Sequence, residues 1–443
     1  MTAQHRIRSV APFKGNEKEL KMTTTESKNI SLQFWLQEEG SDILRHTKKY
    51  LQTTNGDTLR TATLLRKTTS CLPEVASAAL EITLCRRKAA ALGTWTEHGF
   101  FTRQSLEQAT SPIIAHHHAK NFAGRKHVLE ICTGSGFDTA AIAREVERVT
   151  SIEADEHLAA TARHNLYVQH ITNVEVLCGT AEEVCQKLDA TTFDGLWADP
   201  SRRTDQGKRI TTPESYAPSL AWLQRLPING IRGIKIAPAV NCEPHHLAGD
   251  WRREWIGYGS ECREQVVWNG LEALGIVDGT ATLLQENADK ERWIPPGKDR
   301  STQVWNGDPS VLARQFLIEP HGALIRTGHI ASFFAERDWI LFAEQIAYGI
   351  APIKPSASLW YQAFEILEAM PFHYGRLKER IKFYLWGNGT EIKKRGFPET
   401  PEEIRKRLKF PANGESGVII CTRRGNQHWA ILARRCSDSE VCQ

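Results

Sequence analysis

The stretch that decides the fold is Glu130 to Val146, EICTGSGFDTAAIAREV, which continues the short apolar run KHVLEIC and leads into a helical pattern. Gly134 and Gly136 stand where the chain turns from strand to helix. Glycine lacks a Cβ, so the backbone at such a turn can approach a bound ligand closely. The free amides at the start of the next helix favour a polar or negative group. The segment therefore predicts a ligand-binding strand–turn–helix unit.

The next strand ends on an acidic residue that fits this ligand. The run VERVTSIEA places Glu153 seventeen residues after Gly136. A carboxylate at that strand tip can accept hydrogen bonds from both hydroxyls of a ribose. A nicotinamide-binding turn carries a third glycine, and Thr139 occupies that position here. The pattern therefore disfavours a nicotinamide oxidoreductase, but it still predicts a cofactor that contains a nucleoside.

The region from about residue 125 to residue 285 alternates β-rich runs with helical stretches. The β-rich runs are KHVLEIC, VERVTSIEA, VEVLCG, FDGLWAD and IRGIKIAP. This rhythm predicts an α/β fold with a Rossmann-like parallel sheet and crossover helices. Ligands of such sheets gather at the carboxyl ends of the strands. We therefore expect the loop after FDGLWAD to face the same edge as the glycine turn.

That loop reads WADPSRR, with Asp199 as the last residue of the fourth strand and Pro200 behind it. A surface turn with its arginines paired to nearby acids is one interpretation. A substrate site is the other, because the guanidinium groups of Arg202 and Arg203 suit guanine acceptor atoms or phosphate oxygens. Lys235, at the tip of the fifth strand, would add positive charge beside them. The neighbouring glycine turn favours the substrate site.

These motifs, in this order, resemble those of class I S-adenosylmethionine-dependent methyltransferases. The resemblance implies S-adenosyl-L-methionine as the cofactor, with Glu130 orienting its methionine moiety, Glu153 binding the ribose and Ala154 packing on the adenine. The further residues implied to bind the cofactor are Thr133, Gly134, Ser135, Gly136, Asp138, Thr180 and Ala181. Many relatives carry Asp where Thr180 stands, so the resemblance is weaker at the adenine edge.

The Asp-Pro loop departs from the Asn/Asp-Pro-Pro-aromatic loop of methyltransferases that act on exocyclic amines, because Ser201 and Arg202 replace its last two residues. The nearer resemblance is to the Asp-Pro-Pro-Arg-like loop of RNA guanine methyltransferases. It implies that Asp199 and Pro200 hold the nucleophile and that Arg202 acts with them. The loop residues implied to contact the substrate are Arg202, Arg203 and Lys235.

The flanking segments resemble bacterial class I methyltransferases with a THUMP-like C-terminal domain. The predicted divisions are a tail over 1–28, a helical domain over 29–122, the methyltransferase domain over 123–287, a linker over 288–312 and an α+β THUMP-like domain over 313–443. A hairpin is expected around Arg424-Gly425-Asn426. THUMP-type modules accompany RNA-modifying enzymes, so the resemblance implies tRNA or rRNA as the substrate.

Charge is concentrated near the end of the chain. From Arg376 onward there are 15 Lys and Arg against 8 Asp and Glu, a net of +7 compared with +4 for the whole protein. Lys393, Lys394 and Arg395 could contact phosphates, with a base stacked on Phe397. The same residues could serve solubility alone. We predict RNA contact.

Composition indicates a globular protein without a membrane span. A chain of 443 residues is too long for one ordinary hydrophobic core. Of its residues, 41% are hydrophobic and 24% are charged, as in globular proteins. The longest apolar runs fall short of 18 residues, and the N-terminal stretch lacks a signal-peptide pattern. Ten scattered cysteines without a CxxC pair predict reduced thiols in the cytoplasm. Consecutive His116, His117 and His118 would point in different directions on a helix, so no metal site is expected.

The leading hypothesis is an RNA methyltransferase acting on a base nitrogen, with guanine favoured. One alternative keeps the cofactor and replaces the substrate by a small anionic metabolite or a protein. The other alternative is a non-catalytic RNA-binding protein that retains the fold. The oligomeric state and the RNA species stay open.

Overall fold

The computed structural model describes residues 30–201, 212–240, 249–270, 275–286, 289–298 and 300–436. By its packing the chain divides into two compact units, the first ending at Leu106 and the second beginning at Glu107. The predicted boundary after residue 122 lies inside the second unit. The predicted domain boundaries as a set stay predictions.

The first unit is helical, as the sequence predicts. Its α-helices are α1 (Leu32–Leu36), α2 (Glu38–Thr53), α3 (Thr58–Thr69) and α4 (Pro73–Ala89), with 3-10 turns at Ala90–Leu92 and Thr94–Glu97 and the start of α5 (Arg103–Gln108). Asp57 caps α3 by accepting a hydrogen bond from Arg60 N at 2.9 Å, and Pro73 begins α4 with a φ suited to a first helical turn. Trp35, Leu65 and Ala79 lie in the buried core of this unit.

The second unit contains a nine-stranded sheet. Its strands are β1 (His127–Ile131), β2 (Arg148–Glu153), β3 (Val174–Cys178), β4 (Gly195–Ala198), β5 (Ile231–Ile236), β6 (Arg252–Tyr258), β7 (Glu261–Asn269), β8 (Thr280–Leu284) and β9 (Lys290–Trp293). The spatial order is β3-β2-β1-β4-β5-β7-β6-β8-β9. Strands β1 to β5 are parallel and β7 runs antiparallel to β5. The five predicted parallel strands are therefore confirmed.

Helices flank this sheet and bury both of its faces. They are α6 (Pro112–Lys120), α7 (Phe137–Ala143), α8 (Glu156–Val168), α9 (Ala181–Cys185) and α10 (Leu220–Arg225). Along β4, Leu196 and Ala198 belong to one buried cluster and Trp197 to the cluster on the opposite face, as strand alternation requires. Strand order reverses between β1 and β4, so the turns after these two strands meet at one edge.

A second sheet of seven strands follows. It comprises β10 (Phe316–Pro320), β11 (Ile340–Ala343), β12 (Ile346–Ala351), β13 (Tyr361–Pro371), β14 (Glu391–Lys394), β15 (Val418–Arg424) and β16 (Gln427–Arg435), in the order β11-β12-β10-β13-β16-β15-β14. Its helices are α11 (Gly322–Arg326), α12 (Ile330–Ala335), α13 (Tyr374–Phe383) and α14 (Pro401–Leu408). Strands β15 and β16 pair antiparallel up to Arg424 opposite Gln427, which confirms the predicted hairpin.

The segment predicted as a linker carries structure. It contains β9, which pairs with β8, and a 3-10 turn at Pro309–Leu312. One buried cluster joins Trp255 of the first sheet to Ile318 and Phe333 beside the second. Turn-forming residues in this segment concealed the short strand. Within the described ranges, the helices lack the length and apolar character needed to cross a bilayer.

A glycine in β5 tests the packing between the strands. A Cβ on Gly233 would lie 2.5 Å from the ring of Trp268 and 3.0 Å from that of Trp197, both fully buried. We expect G233A to lower the free energy of unfolding by about 1–3 kcal/mol, because neither indole can yield. Urea denaturation measures the loss. The matched control is G297A, since no atom lies within 4 Å of a Cβ there; an equal effect of both variants would contradict this packing.

Candidate cofactor and acceptor site

The glycine turn adopts the conformation that the sequence predicts. Gly134 and Gly136 have φ values of +57° and +83°, which favour glycine. The Gly136 N–H donates to Thr133 O at 3.0 Å and closes the turn. A Cβ on Gly134 would meet no atom within 4 Å, whereas one on Gly136 would lie 3.6 Å from Ala162. The backbone at Gly134 is therefore the open part of the turn.

Glu153, at the end of β2, holds this turn in place. Its Oε2 accepts a hydrogen bond from Gly134 N at 2.8 Å, and its Oε1 accepts one from Asp155 N at 3.0 Å. Burial raises the pKa of Glu153, although these amides partly oppose that shift. A carboxylate has about four acceptor positions, so the two oxygens retain capacity for a ligand's hydroxyl groups.

A buried polar chain lies beneath the turn. Ser151 Oγ donates to Glu130 Oε2 at 2.6 Å, and Thr133 Oγ1 is hydrogen-bonded to Ser151 Oγ. Glu130 is 1% exposed, and burial raises its pKa to about 8 in spite of the Ser151 bond. Near neutral pH this carboxyl is therefore protonated. Asn165, which the sequence did not single out, donates to Ser135 O at 3.1 Å and braces the turn from α8.

The residues predicted to border an adenine lie at neighbouring strand tips. Thr180 caps α9 by accepting a hydrogen bond from Glu183 N at 3.3 Å, and Ala181 is buried behind it. Gly179 N donates to Glu153 O at 3.0 Å, which brings the end of β3 beside the end of β2. Ala154 is exposed at the same edge. The structure thus brings together the tips of β1, β2 and β3.

Asp199 follows β4 at the adjoining position. Its backbone N–H donates to Ile131 O at 3.2 Å, which ties the β4 tip to the end of β1. Its Oδ2 accepts a hydrogen bond from Lys235 Nζ at 3.0 Å, and its side chain is 24% exposed. Pro200 behind it is buried. A partly exposed carboxylate therefore lies beside the glycine turn with one oxygen anchored.

Lys235 lies beside Asp199 as predicted, but as a buried group. Its side chain is 3% exposed, and its Nζ contacts Asp199 Oδ2, Glu264 Oε1 at 2.9 Å and Thr110 Oγ1 at 2.9 Å. Burial opposes the charged form, yet Asp199 and Glu264 raise the pKa of Lys235. An ammonium has three protons, and these three acceptors match them. Lys235 therefore holds the carboxylate of Asp199 in position.

Other predicted substrate residues lie elsewhere. Arg202 and Arg203 fall outside the described residues. Lys393 lies on edge strand β14 of the second sheet and Arg395 follows that strand; both face Glu319, at 2.6 Å and 3.7 Å. Lys394, between them, is exposed.

The expected base stacking on Phe397 is wrong. This side chain is buried in the core of the second sheet and packs on Phe372, with ring centroids 4.5 Å apart. KKRGF is the basic end of β14, which stops at Lys394, followed by a bend that returns Phe397 to the core.

Two histidines of α6 pair with carboxylates. His117 Nε2 lies 3.1 Å from Glu254 Oε1, and His118 lies between Asp138 and Glu264. In the described part of the chain, no three His, Cys, Asp or Glu side chains converge on a possible metal position. Thr110, His118 and Glu264 were missed as site residues, because their partners lie far along the chain and are brought close by the packing of α6 on α7 and by the pairing of β5 with β7.

Comparisons with known proteins find matches in the region of the first sheet and in that of the second. The family model described as protein-L-isoaspartate(D-aspartate) O-methyltransferase matches residues 113–187, and the model described as THUMP domain-like matches residues 361–435. The chain is 28% identical over 365 residues to a protein described as an uncharacterised S-adenosylmethionine-dependent methyltransferase of Mycobacterium tuberculosis H37Rv, covering 78% of this chain and 92% of that protein.

Two further matches are narrower, since one covers a short segment and the other has low sequence identity. A protein-L-isoaspartate O-methyltransferase of Trichlorobacter lovleyi is 48% identical over 56 residues, which are 13% of this chain and 26% of that protein. The crystal structure of a candidate methyltransferase from Porphyromonas gingivalis W83 matches with a TM-score of 0.67 at 20% identity, covering 90% of this chain and 99% of that one. This second likeness concerns the fold, and the predicted fold class is confirmed.

Glu130 gives a pH test of the site. The unfolded carboxyl ionises near 4.5 and the folded one near 8, so its contribution to stability is full below pH 4.5 and is lost as the pH rises through about 8. Gln mimics the protonated acid. We expect E130Q to gain stability relative to wild type between pH 6 and pH 9, measured by urea unfolding midpoints.

The control is E130A, which loses the acceptor of Ser151 at every pH and should lie below E130Q by the same amount at pH 6 and pH 9. A constant difference between wild type and E130Q across this range would show that Glu130 ionises in the folded protein at an ordinary pKa.

Proposed function

We propose that this chain, a class I methyltransferase with a THUMP-like C-terminal domain, transfers the methyl group of S-adenosyl-L-methionine to a base nitrogen of tRNA or rRNA, with guanine favoured. The enzyme class and cofactor rest on the fold, on the glycine turn with Glu153, and on a relative named for that activity over most of its length. The nucleic-acid substrate rests on the THUMP-like match and on the Asp-Pro loop.

The single observation that carries the proposal is the anchored carboxylate of Asp199. It lies at the tip of β4, joined to β1 through Ile131 and held on Oδ2 by Lys235. A base nitrogen attacks well only when its lone pair points at the methyl group. A fixed carboxylate that accepts the protons of that nitrogen sets this direction, and in-line transfer requires little beyond such positioning.

The residues present fit the proposed cofactor. Glu153 offers a carboxylate for the ribose hydroxyls while it holds Gly134, and the open space at Gly134 admits a ligand against the backbone. S-adenosyl-L-methionine supplies an electrophilic methyl group when bound. Glu130 and Thr133 support the methionine end from beneath the turn, and Ala154, Thr180 and Ala181 border the adenine.

The substrate side of the proposal includes Asp199, Pro200, Arg202 and Arg203. Asp199 orients the nucleophile and buried Pro200 stiffens the loop behind it. We assign Arg202 and Arg203 to guanine or phosphate contacts on the sequence pattern alone. Lys235 reaches the substrate through Asp199, because its three protons already meet three acceptors.

A protein substrate is the second candidate, because one family model named for a protein O-methyltransferase matches residues 113–187. That match ends before Asp199, so it covers the glycine turn and Glu153 but omits the acceptor loop. It supports the cofactor and leaves the acceptor to other features, of which the THUMP-like match favours RNA.

We also propose a cytoplasmic location. The cysteines of the described segments are all free thiols, among them exposed Cys178 and buried Cys85 and Cys421. Free thiols persist most readily in a reducing compartment.

Purified protein, labelled S-adenosyl-L-methionine and the bulk RNA and bulk protein fractions of a deletion strain test the proposal. We expect label in tRNA or rRNA, and D199A should lower kcat by roughly 10²–10⁴-fold, because the nucleophile loses its proton acceptor. E153A should instead weaken binding of S-adenosylhomocysteine by about 10–100-fold, since it removes charged hydrogen-bond acceptors. Calorimetry measures that affinity.

The two variants control for each other. D199A should bind S-adenosylhomocysteine as wild type does, and label appearing in protein rather than RNA would support the second candidate. Equal activity of D199A and wild type would contradict the role of Asp199, and a non-catalytic RNA-binding protein would label neither fraction.

Lys394 tests the RNA contact of the THUMP-like domain. It is exposed, while Lys393 is paired with Glu319. We expect K394A to weaken RNA binding and to reduce the slope of log K against log salt by about 1, because one phosphate contact is lost. Lys378 on α13 is also exposed and is the matched control; K378A should bind as wild type, and equal losses would indicate a purely non-specific charge effect.

A further inference from the structure

Two buried histidine–glutamate pairs lie side by side between α6 and the sheet. His117 Nε2 is 3.1 Å from Glu254 Oε1, and His118 Nε2 is 3.2 Å from Glu264 Oε2. All four side chains are less than 10% exposed. Buried ion pairs seldom stabilise a fold more than apolar residues of the same volume would. Stability alone therefore gives no reason for two such pairs, and their further contacts differ.

The pair of His117 and Glu254 has its other contacts inside the sheet. Glu254 also accepts hydrogen bonds from Trp268 Nε1 at 3.0 Å and from Thr282 Oγ1 at 2.5 Å. These partners lie on β7 and β8. The contacts described for this pair thus lead into the core of the sheet.

The pair of His118 and Glu264 belongs to a closed ring, here called the charge ring, made of Thr110, Asp138, His118, Glu264 and Lys235. Thr110 Oγ1 donates to Asp138 Oδ2 at 2.6 Å, and His118 Nδ1 lies 3.3 Å from Asp138 Oδ1. Glu264 Oε1 is 2.9 Å from Lys235 Nζ, which donates to Thr110 Oγ1 at 2.9 Å. The five residues come from the loop before α6, α7, α6, β7 and β5.

Carboxylates lie on both sides of His118. Its Nδ1 is 3.3 Å from Asp138 Oδ1 and its Nε2 is 3.2 Å from Glu264 Oε2, both within ion-pair distance. Two carboxylates this close favour the imidazolium form of His118, whose ring packs against Trp197 with 4.3 Å between centroids. Burial opposes this charge, but Asp138 and Glu264 raise the pKa of His118 to about 9.

The charge ring touches the site at two places. Asp138 is the second residue of α7 and lies two residues after Gly136. Both of its carboxylate oxygens face into the ring. Lys235 extends from the ring to Asp199 at 3.0 Å. Asp138 and Asp199 are therefore joined by an unbroken path of polar contacts through Thr110 and Lys235.

We propose that His118 and Glu264 are positioning residues of the methyl transfer, and that the charge ring couples the glycine turn to the orientation of Asp199. This inference rests on the proposed function. It also gives Asp138 an indirect role, since both oxygens of its carboxylate are used within the ring. Replacing Glu264 by Gln puts an amide N–H₂ opposite one of two cations, which opens the ring at that point.

The experiment compares H118Q, E264Q and the double variant with the controls H117Q and E254Q. Titration calorimetry with S-adenosylhomocysteine gives the affinity, and RNA methylation gives kcat and KM. We expect H118Q and E264Q each to weaken S-adenosylhomocysteine binding by about 5-fold and to lower kcat by about 10-fold or more, with KM for RNA nearly unchanged. The double variant should lose no more affinity and no more kcat than the more impaired of the two single variants, because either change opens the same ring.

H117Q and E254Q should lower the thermal midpoint as much as the ring variants while changing affinity and kcat by less than about 2-fold. E264D, which keeps the carboxylate, should recover part of the lost kcat. A readout without ligand is the ¹⁵N shift of His118, which should report an imidazolium at pH 7.5 in wild type and E254Q and a lower pKa in E264Q.

Ring variants that match the controls in affinity and kcat, or single effects that add in the double variant, would overturn the coupling. Wild-type protein that binds S-adenosylhomocysteine without labelling RNA would overturn the RNA substrate alone, and the calorimetric comparison would still decide the coupling. Wild-type protein that fails to bind S-adenosylhomocysteine would overturn both.

Discussion

The site depends on one buried cation. Lys235 lies at the tip of β5 with its ammonium between Asp199, Glu264 and Thr110, and almost no part of it reaches solvent. A lone ammonium would be expensive to bury, so its presence requires these acceptors to converge. Convergence in turn requires the antiparallel pairing of β5 with β7, which sets Lys235 opposite Val266 and brings Glu264 within reach. The position of Asp199 as an acceptor group thus depends on the strand pairing of the sheet.

The cofactor side follows a parallel logic. Glu153 uses its carboxylate to hold the amide of Gly134, so the residue predicted to bind a ribose also shapes the turn that would surround the rest of the ligand. Beneath it, Glu130 is buried as a neutral acid on Ser151. The two carboxyl groups differ in their partners, because Glu153 accepts hydrogen bonds from two backbone amides of the turns and Glu130 accepts one from the Ser151 hydroxyl in the core.

Local patterns predicted much of this arrangement. Strands β1 to β5, the turn at Gly134 and Gly136, and the β15–β16 hairpin each depend on neighbouring residues, and each was predicted correctly. The burial of Lys235 and the pairing of His118 were missed, because their partners lie far along the chain and meet only through strand register. Phe397 was misread for a related reason: a basic strand edge and an RNA-binding aromatic motif look alike until the core is known.

The central claim is that the anchored carboxylate of Asp199 orients a base nitrogen of RNA for methylation. The most direct measurement is mass spectrometry of nucleosides from tRNA and rRNA of a deletion strain complemented with wild type or with D199A. Our account predicts a methylated nucleoside, guanosine being favoured, that is absent in the deletion strain, restored by wild type and left absent by D199A. Identical nucleoside profiles in all of these strains would contradict it.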